Sequence, residues 1–377
     1  MKKVFLFSIF LLCGLFFSQI LPSALGSAYG TLASISKWLM FICLAFIMIN
    51  VGREFELDKA KWRSYATDYF IAMATAAVPW LLIACYYIFF LDTGLSWENN
   101  LLISRFAAPT SAGILFTMLA AAGLKKEWIY KKTQVLAIFD DLDTILLMVP
   151  LQILMIGFKW QLFVIIGVVC ILLIFGWKRL SSLNLPQSWK SILLYSVCIV
   201  AAFESVYLIS KALMGQDGAI HIEVLLPAFV LGMVMKTVHN HSREEERASS
   251  FISYLFMFLV GLSTPIFIGL ETGGDGMPEW GMLIFHVIVV TILSNLGKMF
   301  PLFFYSDRKI QERLALSIGM FTRGEVGAGI IVIAMGYQLG GPALIISILS
   351  LVLNLVLTGF FVVAVKRISQ SVYGVKE

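Results

Sequence analysis

Apolar residues run in stretches of about twenty along nearly the whole chain, and polar or charged residues gather in the short connections between them. A helix rising about 1.5 Å per residue needs about 20 such residues to cross a hydrocarbon core of about 30 Å. Runs of that length fall at 3–25, 32–52, 64–91, 98–122, 129–157, 160–180, 188–211, 218–238, 247–270, 279–305, 310–338 and 341–366. The pattern predicts an all-α polytopic membrane protein with about 12 transmembrane helices.

Composition agrees. Of 377 residues, 59% are apolar and 14% charged, against about 25% charged in an average globular domain. That leaves too little polar surface for a soluble enzyme, so the lipid bilayer is the solvent. The net charge of +5 does not point to nucleic acid, because Lys and Arg sit in short clusters between apolar runs. Of the 28 Lys and Arg residues, Arg105, Lys298 and Arg323 lie well inside spans, and Lys37, Lys159 and Lys211 lie in the connections or at the span ends of one side. All the others fall on the opposite side, so both termini are expected in the cytoplasm, with the chain in the cell (inner) membrane.

Met1-Lys2-Lys3, an apolar run and the small residues Ser23, Ala24, Gly26 and Ser27 also resemble a secretory signal. Its removal would leave eleven helices and the same core. Cys13, Cys43, Cys85, Cys170 and Cys198 stand singly within spans and read as small apolar packing residues. No soluble regulatory domain is expected.

Charges inside spans are expensive and mark function by default. The clear cases are Arg105, Asp140, Asp141, Asp143, Glu204, Lys298, Arg323 and Glu325. Counting residues from Lys132 to Asp140 and Asp141, and from Asp307 back to Lys298, places the acids and the amine at a common depth of about 12–14 Å. They are expected to meet. Glu204, in the outer half of the seventh span, reads as a polar contact of the scaffold.

Two spans are also interrupted near their middles. The fourth holds Ala107-Ala108-Pro109-Thr110-Ser111-Ala112-Gly113, and the eleventh holds Thr322-Arg323-Gly324-Glu325-Val326-Gly327-Ala328-Gly329. With both termini inside, these spans run in opposite directions. Broken segments at corresponding positions of two halves point to a transporter's binding site, because unwound backbone at the midplane must line a polar cavity. Residues 64–157 and 279–366 read as inverted repeats. Asp140 follows Pro109 by 31 residues, and the same offset from Arg323 reaches Asn354, the second repeat's polar counterpart or a lone interhelical hydrogen-bonding group.

Phe139-Asp140-Asp141, Ser294-Asn295-Leu296-Gly297-Lys298 and Gly319-Met320-Phe321-Thr322-Arg323-Gly324-Glu325-Val326-Gly327 resemble the monovalent cation:proton antiporters. The pattern is most similar to the cation:proton antiporter-2 (sodium/hydrogen exchanger) branch. Weaker similarity extends to Leu226-Pro227-Ala228-Phe229-Val230-Leu231-Gly232, Thr264-Pro265-Ile266-Phe267-Ile268-Gly269 and Pro109-Thr110-Ser111. The resemblance implies a sodium/proton antiporter-like fold with two crossed discontinuous helices. Core helices at about 64–157 and 279–366 would move in elevator-like alternating access against dimerisation helices at about 3–52 and 188–270 of a homodimer. The implied activity is exchange of Na+, or Li+, for H+, serving pH homeostasis, with K+ exchange as the alternative. No cofactor is implied; the cation and protons are cargo. Asp143 and Arg105 stand where the family pattern has small or apolar residues.

In chemical terms, a carboxylate in a partly dry site can carry either a proton or a hard cation. Asp141 is expected to hold the exchanging proton or Na+, with help from Asp140, the Thr110 hydroxyl and unwound carbonyls. The resemblance, together with the matching depth, implies that Lys298 pairs with Asp140 in the proton-loaded state and is displaced when the cation arrives. Pro109, Ser111, Arg323, Gly324 and Glu325 would form the crossover and compensate the half-helix dipoles. Asp143 lies one helical step beyond Asp140 and would pair with Arg105 or Arg323, or line the same cavity. His239 and His241 fall in a charged loop read as solvated.

An enzymatic alternative rests on the DxxD spacing of Asp140 and Asp143, which intramembrane prenyltransferases use to hold Mg2+ and a diphosphate. A second Asp-rich segment, which such enzymes need, is missing. An aspartyl protease would need its acids on two helices. A channel of the same fold would show ion flux without proton countertransport.

Overall fold

The computed structural model describes residues 2–53, 62–91, 94–111, 127–147, 160–214, 224–236, 242–264, 279–337 and 339–373, with positions 119, 124 and 151. Among them are thirteen α-helices: α1 (Lys2–Leu25), α2 (Tyr29–Arg53), α3 (Trp62–Phe90), α4 (Trp97–Ser104), α5 (Trp128–Leu146), α6 (Trp160–Lys178), α7 (Trp189–Met214), α8 (Leu225–Val234), α9 (Arg243–Leu262), α10 (Trp280–Gly297), α11 (Ile310–Gly319), α12 (Glu325–Gly336) and α13 (Gly341–Tyr373). The β-structure among these residues is one isolated bridge, Leu183 to Met235.

Six helical segments are long and apolar enough to cross a bilayer: Phe5–Leu25, Tyr29–Arg53, Tyr65–Phe90, Trp189–Ala212, Trp280–Phe303 and Gly341–Val372. The remaining expected spans are interrupted, carry the buried charges, or run partly through residues outside the described set. Ala112, Gly113, His239, His241 and the Pro265–Gly269 stretch lie outside it as well. The cysteines depart from expectation. Cys43 is buried, but Cys13, Cys85, Cys170 and Cys198 are exposed on helix faces, where an apolar thiol suits lipid as well as it suits a core.

The chain forms two compact units, one of Met1–Pro22, Lys59–Thr144 and Val260–Glu377, the other of Ser23–Asp58 and Ile145–Leu259. In the second unit, α2 and α8 approach to backbone contact. A Cβ on Gly52 would lie 2.1 Å from the Phe229 carbonyl oxygen, and one on Gly232 would lie 2.1 Å from that of Ile49. Small residues permit such approach, which matters where lipid removes the hydrophobic drive for helix association. Arg53, at the end of α2, donates to Asn50 at 3.1 Å and Gln187 at 3.0 Å.

In the first unit, neutral polar pairs tie α3, α10 and α13 together. The Tyr87 and Ser347 hydroxyls lie 2.7 Å apart, those of Thr291 and Ser350 lie 2.9 Å apart, and Asn295 donates to Asn354 at 3.0 Å. The C-terminal end of α10 presses on α3 so closely that a Cβ at Gly297 would fall 2.5 Å from the Pro79 backbone. Helix α4 starts at Ser96, whose side chain accepts from the Asn99 N–H, with Glu98 in its first turn; both features favour a helix N-terminus. It tightens into the 3₁₀ turn Arg105–Ala107 and stops, because Pro109 supplies no N–H to continue the ladder.

Candidate functional site

The end of α4 leaves carbonyls without helical donors. Two buried cations from other elements occupy them. The Lys298 ammonium, at the C-cap of α10, donates to the Ala108 carbonyl oxygen. The Arg323 guanidinium, from the break between α11 and α12, donates to the Pro109 carbonyl at 3.0 Å. Positive charge here complements the negative end of the α4 half-helix. On the other side of the break, Glu325 opens α12 in its first turn, where a carboxylate complements the positive end. The expected dipole compensation by Arg323 and Glu325 therefore has matching geometry, although Glu325 is only half-buried.

The two interruptions cross through their backbones. The Ser111 N–H donates to the Thr322 carbonyl at 2.9 Å, the Thr322 hydroxyl to the Ser111 carbonyl at 3.4 Å, and the Thr110 hydroxyl to the Met320 carbonyl at 3.1 Å. Gly327 allows this closeness, since a Cβ there would stand 2.9 Å from the Phe106 carbonyl oxygen. Gly324 is extended backbone at the start of α12.

Lys298 also donates to both oxygens of Asp140, at 2.9 and 2.7 Å, and both side chains are fully buried. Thr110 and Arg323 add to the field at Asp140. Asp141 is 1% exposed and lies within the electrostatic reach of Lys298. The buried acids Asp140, Asp141 and Asp143 are balanced by the buried cations Arg105, Lys298 and Arg323, a formally neutral set that low-dielectric surroundings favour.

Asp143 finds a partner that the residue pattern did not indicate: the Tyr69 hydroxyl of α3 hydrogen-bonds to it. The Tyr69 ring also meets Phe139 edge-on at 5.5 Å. Arg105 is fully buried with its guanidinium 5.5 Å from the Trp80 ring centroid. Asn354 accepts from Asn295 at 3.0 Å within the α10–α13 seam, which is the geometry of an interhelical hydrogen bond. Glu204 is half-buried on α7.

Ser294 is a further residue of the crossing. Its hydroxyl receives Arg323 at 2.6 Å and its carbonyl at 3.3 Å. It stands one helical turn before Lys298, and that spacing alone placed it on the same face of α10. Tyr69, by contrast, carries no sequence signal, since a Tyr near a span end is ordinary.

Buried, balanced charges where two interrupted apolar helices cross define an ion-coupled secondary transporter. A family model described as sodium/hydrogen exchanger, transmembrane, matches residues 2–367, and the chain belongs to that family. Two solved structures of the sodium proton antiporter MjNhaP1 from Methanocaldococcus jannaschii share its fold. The structure at pH 8 has a TM-score of 0.59 at 13% identity, covering 94% of this chain and 92% of that one. The one from an electron-microscopy map has a TM-score of 0.51 at 12% identity, with 88% and 84% covered. No curated protein matches the chain by sequence. Membership makes the protein a multi-pass cation/proton exchanger. The prenyltransferase alternative falls with it, and Asp140, one of its two required acids, is engaged by Lys298.

Proposed function

We propose that the protein exchanges Na+ for H+ by alternating access, with Asp140 and Asp141 as the shared site for the ion and protons. The observation that carries this reading is the fully buried Lys298–Asp140 pair at 2.7 Å, set against the crossing of two broken helices. A cation entering beside Asp141 competes with the Lys298 ammonium for Asp140, and each charge added is offset by one released. Among the described residues, no three His, Cys, Asp or Glu side chains converge as a metal cage. The remaining ligands in this reading are the Thr110 hydroxyl and main-chain carbonyls at the crossing, hard oxygens suited to Na+ or Li+.

The unit holding α3–α5 and α10–α13 carries the ion, and the unit holding α2 and α6–α9 supplies the scaffold and the contact of a homodimer. Both termini face the cytoplasm of the inner membrane, following the Lys and Arg distribution. The test is a pH-gradient dequenching assay in inside-out vesicles with Na+, Li+ and K+ added in turn. Dequenching by Na+ and Li+, lost in Asp141→Asn, is the expected result. A response to K+ alone would reassign the cargo, and proton-independent cation flux would make the protein a channel.

A further inference from the structure

A second, partly buried ion pair lies in the same unit, away from the exchange site. Asp68 of α3, 5% exposed at its side chain, receives Lys132 of α5 at 2.9 and 2.8 Å and the Tyr305 hydroxyl at 2.8 Å. Lys132 also stands 5.0 Å from the Tyr305 ring centroid, and Trp128 packs edge-on against that ring at 5.5 Å. Tyr305 adopts φ +57°, a left-handed conformation that is strained for a bulky residue and persists only where the surroundings enforce it. Burial and the Asp68 charge push its phenol above the ordinary value, so it remains a hydrogen-bond donor.

What matters is which elements this cluster joins. Lys132 lies eight residues before Asp140 on one helix, about 12 Å along its axis. Tyr305 follows Lys298 by seven residues. The intervening chain is stiffened by successive turn bonds, Met299 N–H to Leu296, Leu302 N–H to Met299 and Phe304 N–H to Pro301. The two partners of the exchange-site pair thus sit on elements that are joined again at Asp68.

We propose that Asp68, Lys132 and Tyr305 act as positioning residues, a clamp that holds the α10–α11 connection against α5 and thereby sets how tightly Lys298 competes with the transported cation for Asp140. The inference rests on the exchange reading given above. A loosened clamp weakens the Lys298–Asp140 contact, and a weaker competitor lets the cation bind at lower concentration.

The test is Na+-dependent proton flux in proteoliposomes of the full-length protein, comparing wild type with Tyr305→Phe, Asp68→Asn and Asp68→Glu. Tyr305→Phe removes one hydroxyl and keeps the ring. It is expected to lower the KM for Na+ roughly three- to tenfold, with Vmax within about twofold of wild type. Asp68→Asn is expected to lower KM further, and Asp68→Glu to return it towards wild type. A KM that is unchanged or raised in Tyr305→Phe overturns the clamp, whatever happens to Vmax or yield. Tyr305→Phe alone decides if Asp68→Asn fails to fold. Wild-type protein without cation-driven proton flux overturns the exchange reading itself, and the clamp with it.

Discussion

In the second unit α2 and α8 meet through bare backbone at Gly52 and Gly232, whereas in the first unit α4, α10 and the α11–α12 break meet through charged side chains seated on carbonyls. The glycine crossing leaves little to rearrange, because its contacts are van der Waals and main-chain. The charged crossing holds groups that an incoming cation can exchange, at the cost of desolvating every one of them. On the exchange reading proposed above, the difference separates a region that associates from a region that switches partners. Substitutions at the charged crossing of the first unit should therefore alter transport, and substitutions at the glycine crossing of the second unit should alter folding.

The largest expected effect on transport comes from Asp141→Asn, which keeps the shape and removes the charge. Cation-driven proton flux should fall roughly 100-fold or more, with an unchanged melting profile. A variant that unfolds instead would put Asp141 among the structural groups. Lys298→Ala strands a buried carboxylate and should destabilise the protein by roughly 3–5 kcal/mol. The double variant Lys298→Ala/Asp140→Ala should recover much of that loss, as read by thermal melts in detergent. If the double variant is no more stable than the single one, the pair is not the main partner of either residue.

Gly232→Val tests the other side of the comparison. It drives side-chain atoms into the Ile49 backbone and should cost about 1–3 kcal/mol or more through overpacking, seen as a lower folded yield. The folded fraction should exchange with wild-type KM. A changed KM there would erase the proposed division of labour. The smallest effect is expected for Asn354→Ala, about 0.6 kcal/mol for an interhelical hydrogen bond in lipid, with exchange retained.

The meeting of Asp140 with Lys298 was legible in the sequence because ionisable residues are rare inside apolar runs, and counting from loop ends fixes their depth. The crossing was legible for a related reason: Pro109 and the glycines of the eleventh span break helices where nothing else calls for a break. The Asp68–Lys132–Tyr305 cluster escaped notice because charges at span ends are commonplace and their partners come from three separate elements. The α2–α8 approach left little trace, since Gly52 and Gly232 stand in separate spans and each is unremarkable alone. The partner of Asp143 was unreadable for another reason. Charge left an arginine or the cavity open, whereas a phenol hydrogen-bonds to the buried carboxyl without adding a second ion to desolvate.

Lys298 has one partner that mutagenesis of side chains cannot remove, because Ala108 holds it by the main chain. On the exchange reading proposed above, an ammonium dislodged from its carboxylate would keep a resting place at that oxygen whatever residue occupies position 108, a fixed pivot for its movement. Replacing the amide there with an ester, which weakens the acceptor and leaves every side chain intact, gives direct access to that pivot.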